Sequence, residues 1–245
     1  MNASSGIVAG GDYTRAITAH ASDRRYRREF QALALKLTRP GTTLFDFGAG
    51  PGIDARFYAE HGRRVWTYDI DPRMCEYLAD YCREFLASGA ITPHGGGYRE
   101  FLARAASVDG APVELVTSNF APLNLVDHLR ELFAKFATLT TPDGVVLASV
   151  LSPYFAGDLC YGWWWRNAAR LARHGRYAVP GAQALIWRRR LADFAAECGP
   201  YFRLEEVFPG TGTRVSADAR TAGLRLFTCR FMFLLFRKRA TAAAS

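Results

Sequence analysis

Leu44-Phe45-Asp46-Phe47-Gly48-Ala49-Gly50-Pro51-Gly52 is the stretch on which the fold turns. A short apolar run that enters alternating glycines, ahead of a segment (Ile53 to His61) able to form a helix, describes strand, tight turn and helix. Glycine lets the backbone of such a turn approach a ligand closely, and in an open α/β sheet this turn lies at the carboxyl edge, where ligands bind. A nucleotide-like cofactor is implied. Asp69, 19 residues beyond Gly50, ends a second strand (Arg64 to Asp69), where a carboxylate can accept hydrogen bonds from both hydroxyls of a ribose.

Outward from this stretch the alternation continues. On the amino-terminal side Tyr26, Phe30, Leu33 and Leu37 recur at spacings of 4, 3 and 4, an amphipathic helix stopped by Arg39-Pro40-Gly41. Downstream, Asp71-Pro72 supplies an N-cap acid and a proline at the first helical position, and the helix it opens should bury Met74, Leu78, Tyr81 and Phe85. A weaker third strand is expected near Ile91. Pro112 to Thr117 reads as a strand, followed by a helix striped with Leu125, Leu129, Leu132, Phe136 and Leu139. Val145 to Leu151 is an uninterrupted apolar strand of the kind covered on both faces. A helix from Ala184 to Cys198, with Trp187, Leu191, Phe194 and Cys198 on one face, leads to strands at Arg203 to Phe208 and Leu224 to Phe236.

This pattern predicts an α/β, doubly wound, mostly parallel sheet of about seven strands, with an antiparallel final strand and helices on both faces. A single domain over 1–245 is expected. It divides into an amino-terminal arm and helix (1–40), a cofactor-binding half (41–151), an aromatic-rich lid insertion (152–183) and a carboxyl-terminal helix with the final strand pair (184–239).

Composition sets the outer bounds. Apolar residues at 49% and charged residues at 22% are globular values, which excludes a disordered or fibrous chain. The five cysteines are scattered and never in C-x-x-C spacing, so neither a disulfide framework nor a metal site is expected. No signal-like run opens the sequence and no tract reaches membrane-span length, which favours a cytoplasmic location without a transmembrane segment. The net charge of +8 raises the prospect of a polyanionic partner. The arginines are dispersed, with clusters at Arg24 to Arg28, Arg188 to Arg190 and Arg237 to Arg239, and read as a solvated face.

Two chemistries compete for the glycine turn. A dinucleotide fingerprint requires G-x-G-x-x-G, but Ile53 occupies the third glycine's place and Gly52 falls one residue early. Asp46 would also repel a pyrophosphate held at the helix amino terminus. A cationic ligand suits it better. S-adenosylmethionine offers a ribose to Asp69 and an ammonium and a sulfonium in place of phosphates.

On these residues the chain resembles the class I, Rossmann-like S-adenosylmethionine-dependent methyltransferases, over about residues 43 to 151. Their first motif, an acid followed by G-x-G-x-G, matches Asp46 to Gly52. Their second, a strand ending in an acid, matches Asp69-Ile70-Asp71-Pro72-Arg73-Met74. Thr117-Ser118-Asn119-Phe120 resembles the family's cofactor-facing loop, and Pro142-Asp143-Gly144 the turn before its fifth strand. The resemblance implies S-adenosylmethionine as cofactor, held by Asp46, Gly48, Ala49, Gly50, Asp69, Ile70, Met74, Asn119 and Phe120, with Tyr13 folding over it. The match departs after the third strand. Pro93-His94-Gly95-Gly96-Gly97-Tyr98 lacks the usual acid, leaving the adenine to backbone amides or to stacking on Tyr98.

Methyl transfer is an in-line displacement in which alignment does much of the work. His128 is the candidate general base for a hydroxyl acceptor. The insertion places Tyr154, Phe155, Tyr161, Trp163, Trp164, Trp165 and Tyr177 within 24 residues. Three consecutive tryptophans cannot share one helix face, so some must meet something besides the main core: an acceptor, a lipid surface, a second subunit of a dimer, or a satellite cluster of their own. The expected reaction is methylation of a small hydrophobic or aromatic molecule, preferably on oxygen, with Tyr154, Trp163 and Trp164 at the acceptor. The alternatives are a nucleic-acid methyltransferase, disfavoured by the missing Asn/Asp-Pro-Pro-aromatic run, and a non-catalytic cofactor-binding or lipid-surface protein using Arg237 to Arg239.

Overall fold

The computed structural model describes residues 21–104, 112–178, 185–209, 215–216 and 226–240. The first element, α1 (Ala21–Lys36), buries Phe30, Gln31 and Ala34 and packs Tyr26, Leu33 and Leu37 alongside, following the expected stripe. Then β1 (Thr43–Phe47), α2 (Ile53–Glu60), β2 (Arg64–Tyr68), α3 (Pro72–Tyr81), α4 (Arg83–Ala87), β3 (Ile91–His94), α5 (Tyr98–Ala103) and β4 (Val113–Ser118) alternate. A 3₁₀ turn (Pro122–Leu125) precedes α6 (Leu129–Leu139) and β5 (Thr140–Leu151). The insertion contributes α7 (Gly162–His174) and a hairpin of β6 (Arg176–Ala178) and β7 (Leu185–Trp187). It is followed by α8 (Leu191–Cys198), β8 (Phe202–Pro209), β9 (Val215–Ser216) and β10 (Phe231–Lys238).

The sheet order is β3-β2-β1-β4-β5-β10-β8-β9. β1 to β5 are parallel, and β10 lies antiparallel between β5 and β8. Seven strands and the two-residue β9 thus form the expected doubly wound sheet. From β1 the chain winds outward to β3 and then returns to β4 on β1's other side. The carboxyl ends of β1 and β4 therefore flank the switch point where such sheets bind ligands.

The apolar strands are continuous because both faces are covered. All five residues of β1 are buried, with Leu44 in the layer under α1 and α2, and Phe45 and Phe47 in the layer under α5 and α6. In β10, Met232, Leu234 and Phe236 point to one layer, and Phe231, Phe233 and Leu235 to the other. This is the period of two that a strand imposes.

Several expectations are corrected. Leu125 lies in the 3₁₀ turn and is 53% exposed, because α6 starts only at Leu129. Tyr81 is exposed: α3 buries only Leu78 and the chain breaks at Cys82. Pro142-Asp143-Gly144 falls within β5, where the pairing with β4 jumps from Val113↔Thr140 to Leu115↔Val145. Trp187 belongs to β7, and its helix begins four residues later.

The arginine clusters are also less solvated than expected. Arg188 and Arg189 have side chains 8% and 3% exposed. Arg188 pairs with Asp158 and donates to the Ser152 carbonyl, while Arg189 donates to the carbonyls of Leu123, Val126 and Asp127 and pairs with Glu197. Lys238 donates to the carbonyls of Ala137 and Thr140, and Arg239 to that of Gly199. Carbonyls at helix ends and turns lack intrahelical donors, and a multi-donor cation satisfies several together.

Candidate functional site

At the switch point the glycine turn is tied to β2. The amides of Gly48 and Ala49 donate to the Tyr68 carbonyl at 2.8 and 3.1 Å, and the Gly50 amide donates to Asp69 Oδ2 at 2.8 Å. Asp69 Oδ1 accepts from the Asp71 amide at 2.9 Å. Each carboxylate oxygen holds a second lone-pair site. Burial pushes the Asp69 carboxyl above its ordinary pKa, against the opposing hydrogen bonds. Asp71 caps α3, its Oδ1 accepting from the Arg73 amide at 2.9 Å. Gly48 has φ +72°, and a Cβ there would stand 2.5 Å from Pro122; at Gly50, φ +54°, a Cβ would meet nothing within 4 Å. The second position is the open one. Ile70 projects beside it, 59% exposed, and Met74 is half-buried in the first turn of α3.

Beneath the turn Asp46 is 2% exposed, with Oδ1 accepting from Thr117 Oγ1 at 2.8 Å and Oδ2 unpartnered among the described residues. Burial, then the charge of Asp54, pushes its pKa up to about 8. Asp54 sits in the first turn of α2 and is itself buried. It accepts from Gln31 Nε2 at 2.7 Å and Asn119 Nδ2 at 3.1 Å, and pairs with Arg27. Asn119 Oδ1 in turn accepts from the Phe120 amide. Phe120 and Ala121 take positive φ of 60° and 70°, conformations non-glycine residues rarely adopt. The Arg27 guanidinium lies over the Phe120 ring at 4.5 Å, which rests edge-on against Phe231. Gln31 and Asp54 are not singled out from sequence, and Arg27, expected there in a solvated cluster, is instead largely buried against Asp54. An acid in the first helical turn was visible; its partners on α1 were not.

The family model of a methyltransferase domain matches residues 18–198. The chain belongs to this methyltransferase family. Among curated proteins, the ribosomal protein L11 methyltransferase of Pelotomaculum thermopropionicum is 30% identical over 123 residues, 50% of this chain; the match spans 36% of that relative's length. Among solved structures, the 1,6-didemethyltoxoflavin-N1-methyltransferase of Burkholderia thailandensis, with 1,6-didemethyltoxoflavin and S-adenosylhomocysteine bound, has a TM-score of 0.60 at 18% identity, covering 95% of this chain and 84% of that one. The magnesium protoporphyrin IX methyltransferase of Synechocystis, with S-adenosylhomocysteine bound, has a TM-score of 0.57 at 18% identity, each chain covered to 94%. At such identities these two establish the fold.

S-adenosylmethionine is the cofactor of this methyltransferase class, and the donor set fits it. Asp69 offers lone pairs to a ribose, Gly50 leaves space for close approach, exposed Ile70 offers an apolar platform, and the free Oδ2 of Asp46 suits a cation. Tyr98 is not such a platform, since its ring packs against the Phe45 and Phe101 core layer. Tyr13 lies outside the described residues. His128, at the N-cap of α6, is exposed.

A cleft of about 1000 Å³ in the methyltransferase opens beyond the carboxyl end of β5 and is lined in part by Tyr154, Trp163, Trp164 and Trp187. Trp163 stacks on Tyr177 at 4.6 Å, and Trp187 Nε1 donates to Asp127 at 2.9 Å. His128 is absent from the cleft wall. Sequence reading missed Trp187 there because it assigned that residue to a helix.

Proposed function

We propose that the chain transfers a methyl group from S-adenosylmethionine to a small hydrophobic or aromatic molecule, with oxygen as the favoured acceptor atom, in a single domain whose insertion, 152–183, serves as the acceptor lid. The observation carrying this reading is the cleft beside β5, where the rings of Tyr154, Trp163, Trp164 and Trp187 provide apolar area among charged side chains such as Asp158, Arg188 and Glu197. The planar heteroaromatic named for the Burkholderia protein and the porphyrin named for the Synechocystis protein are acceptors of that general kind.

When bound, S-adenosylmethionine supplies an electrophilic methyl group that an acceptor oxygen takes in line, leaving sulfur neutral as S-adenosylhomocysteine while the hydroxyl proton passes to base or solvent. The chain's task is orientation and exclusion of water. Asp69, Gly48 to Gly50 and Ile70 hold the nucleoside, Asp46 faces the cationic part, and the loop at Asn119 and Phe120 closes the methyl side. Alignment of this sort supplies several kcal/mol. As base, His128 would contribute on the order of 10²-fold to kcat; its exposed position outside the cleft favours a loss below about threefold in His128→Gln.

Replacing Trp163 and Trp164 with Ala tests the acceptor site. The expected result is a raised acceptor KM or lowered kcat with cofactor affinity held within about threefold. A lowered melting temperature with unchanged kinetics would assign these rings to packing alone.

A further inference from the structure

Helix α7 contains three tryptophans, yet none of its residues is buried. Trp164, Ala168 and Leu171, spaced i, i+4, i+7, are half-buried and face inward. The next stripe round, Trp165, Ala169 and Ala172, is exposed throughout, and so is the stripe beside it, Arg166, Arg170 and Arg173; toward the helix's end Ala169, Ala172 and Arg173 border the cleft, while Trp165, Arg166 and Arg170 do not. Trp165 is 64% exposed, with Tyr161 at 57% and Leu159 at 45% just ahead of the helix.

Two features set this surface apart. First, the Trp165 indole already donates its N–H to the Leu159 carbonyl at 2.9 Å, so what it shows to water is hydrocarbon. Second, Arg166, Arg170 and Arg173 enter no salt bridge among the described residues, and α7 carries no acid. The basic clusters that stood out in the sequence behave differently, since Arg188, Arg189 and Arg237 are paired. An aromatic stripe alongside an uncompensated cationic one, on a helix lying on the protein surface, matches the chemistry of an anionic lipid interface. Indole and phenol rings settle among the headgroups while arginines meet phosphates.

We propose that the outer face of α7, with Tyr161 and Leu159, docks on a negatively charged membrane surface. Trp163 and Trp164 on the same helix wall the aromatic cleft, so docking would bring the cleft beside the lipid and let an acceptor dissolved there reach it with little passage through water. Leu159, Tyr161, Trp165, Arg166 and Arg170, which carry the docking, lie outside the cleft lining and the proposed cofactor residues, and docking stands independently of the acceptor's identity. A nucleic-acid duplex would use the arginines but would leave Leu159 and the hydrocarbon face of Trp165 without a role.

Co-sedimentation of the full chain with vesicles of phosphatidylcholine plus phosphatidylglycerol, against phosphatidylcholine alone, tests the proposal. Binding to the anionic vesicles is expected, reduced about 30-fold by Arg166→Gln with Arg170→Gln, since each cation near such a surface contributes about fivefold. Arg166→Lys with Arg170→Lys should keep it. Trp165→Ala with Tyr161→Ala should lower binding about tenfold to both compositions. Melting and calorimetric titration with S-adenosylhomocysteine should be unchanged in every variant, separating failure of docking from failure of the methyltransferase reading. Absence of binding to anionic vesicles would overturn the proposal, as would binding that the aromatic variant does not reduce. So would displacement from vesicles by duplex RNA together with indifference to Trp165→Ala, which would mark a nucleic-acid face.

Discussion

Asp69 and Asp71 are separated by one residue, and local hydrogen bonding gives them different work. Asp69 ties the Gly50 and Asp71 amides together while retaining lone pairs for a ribose; Asp71 caps α3. Asp69→Ala should weaken S-adenosylhomocysteine binding about 10- to 100-fold, given roughly 1.5–3 kcal/mol for each hydrogen bond to a charged acceptor. It should also lower the melting temperature, because two backbone amides lose their partner. Asp71→Ala should cost about 1 kcal/mol of stability with little change in affinity. Calorimetry and melting on both variants separate the roles, and the reverse pattern would exchange them.

Asp46 makes a pH-dependent prediction at the same scale. Its folded-state pKa lies above the ordinary carboxyl value because burial and Asp54 disfavour the charge. The associated stability is therefore complete below the ordinary carboxyl pKa and is lost as pH rises through about 8. Asp46→Asn should flatten the decline of melting temperature across that window. If the carboxylate meets the cofactor's cationic part, binding near neutrality should release a proton, read as a buffer-dependent binding enthalpy that vanishes in Asp46→Asn. A buffer-independent enthalpy in the unmodified protein would remove Asp46 from the cofactor contact.

At the scale of elements, α1 is fastened to α2 through Asp54. Arg27 and Gln31, one helical turn apart, converge on that carboxylate, and Asn119 reaches it from the loop after β4. Three segments thus meet at one buried charge beside the glycine turn. Arg27→Ala would leave Asp54 buried without its cation and should destabilise the fold by about 3 kcal/mol. Arg27→Ala with Asp54→Asn should recover part of that loss, since the unpaired charge is gone. A double-variant loss equal to the sum of the Arg27→Ala and Asp54→Asn losses would show the pair to be uncoupled.

For the whole molecule, the sheet order and the absence of a pyrophosphate-compatible turn predict selectivity. The chain should bind S-adenosylmethionine and S-adenosylhomocysteine but neither nicotinamide nor flavin dinucleotides, which parallel calorimetric titrations would check. The net charge of +8 makes some duplex binding unavoidable. With Arg188, Arg189 and Arg237 engaged internally, it should remain in the non-specific range of about 10⁻⁴–10⁻⁶ M and fall steeply with salt. Selective methylation of an RNA at physiological salt would overturn the choice of acceptor class.

The strand, glycine turn and helix at Leu44 to Gly52, the acid that ends β2 and the cap at Asp71 were all legible from the amino-acid order. Each depends on neighbours in the chain: a period of two or 3.6, a proline after a cap, a glycine where φ must be positive. Repeating such units leaves few ways to wind the sheet, so the doubly wound, mostly parallel architecture came with them, whereas the strand order was read only from the structure. The site's inner wiring had no such local signature. Thr117 reaches Asp46 across 71 positions, Asn119 reaches Asp54 across 65, and Arg189 finds the Leu123 carbonyl 66 positions away. Only packing brings these atoms together, because burying an acid or a guanidinium selects whichever complementary group the fold delivers. The same holds for the lid: three tryptophans in a row announced surplus aromatic surface, and the placing of α7 decided that Trp163 and Trp164 wall a cleft while Trp165 meets water.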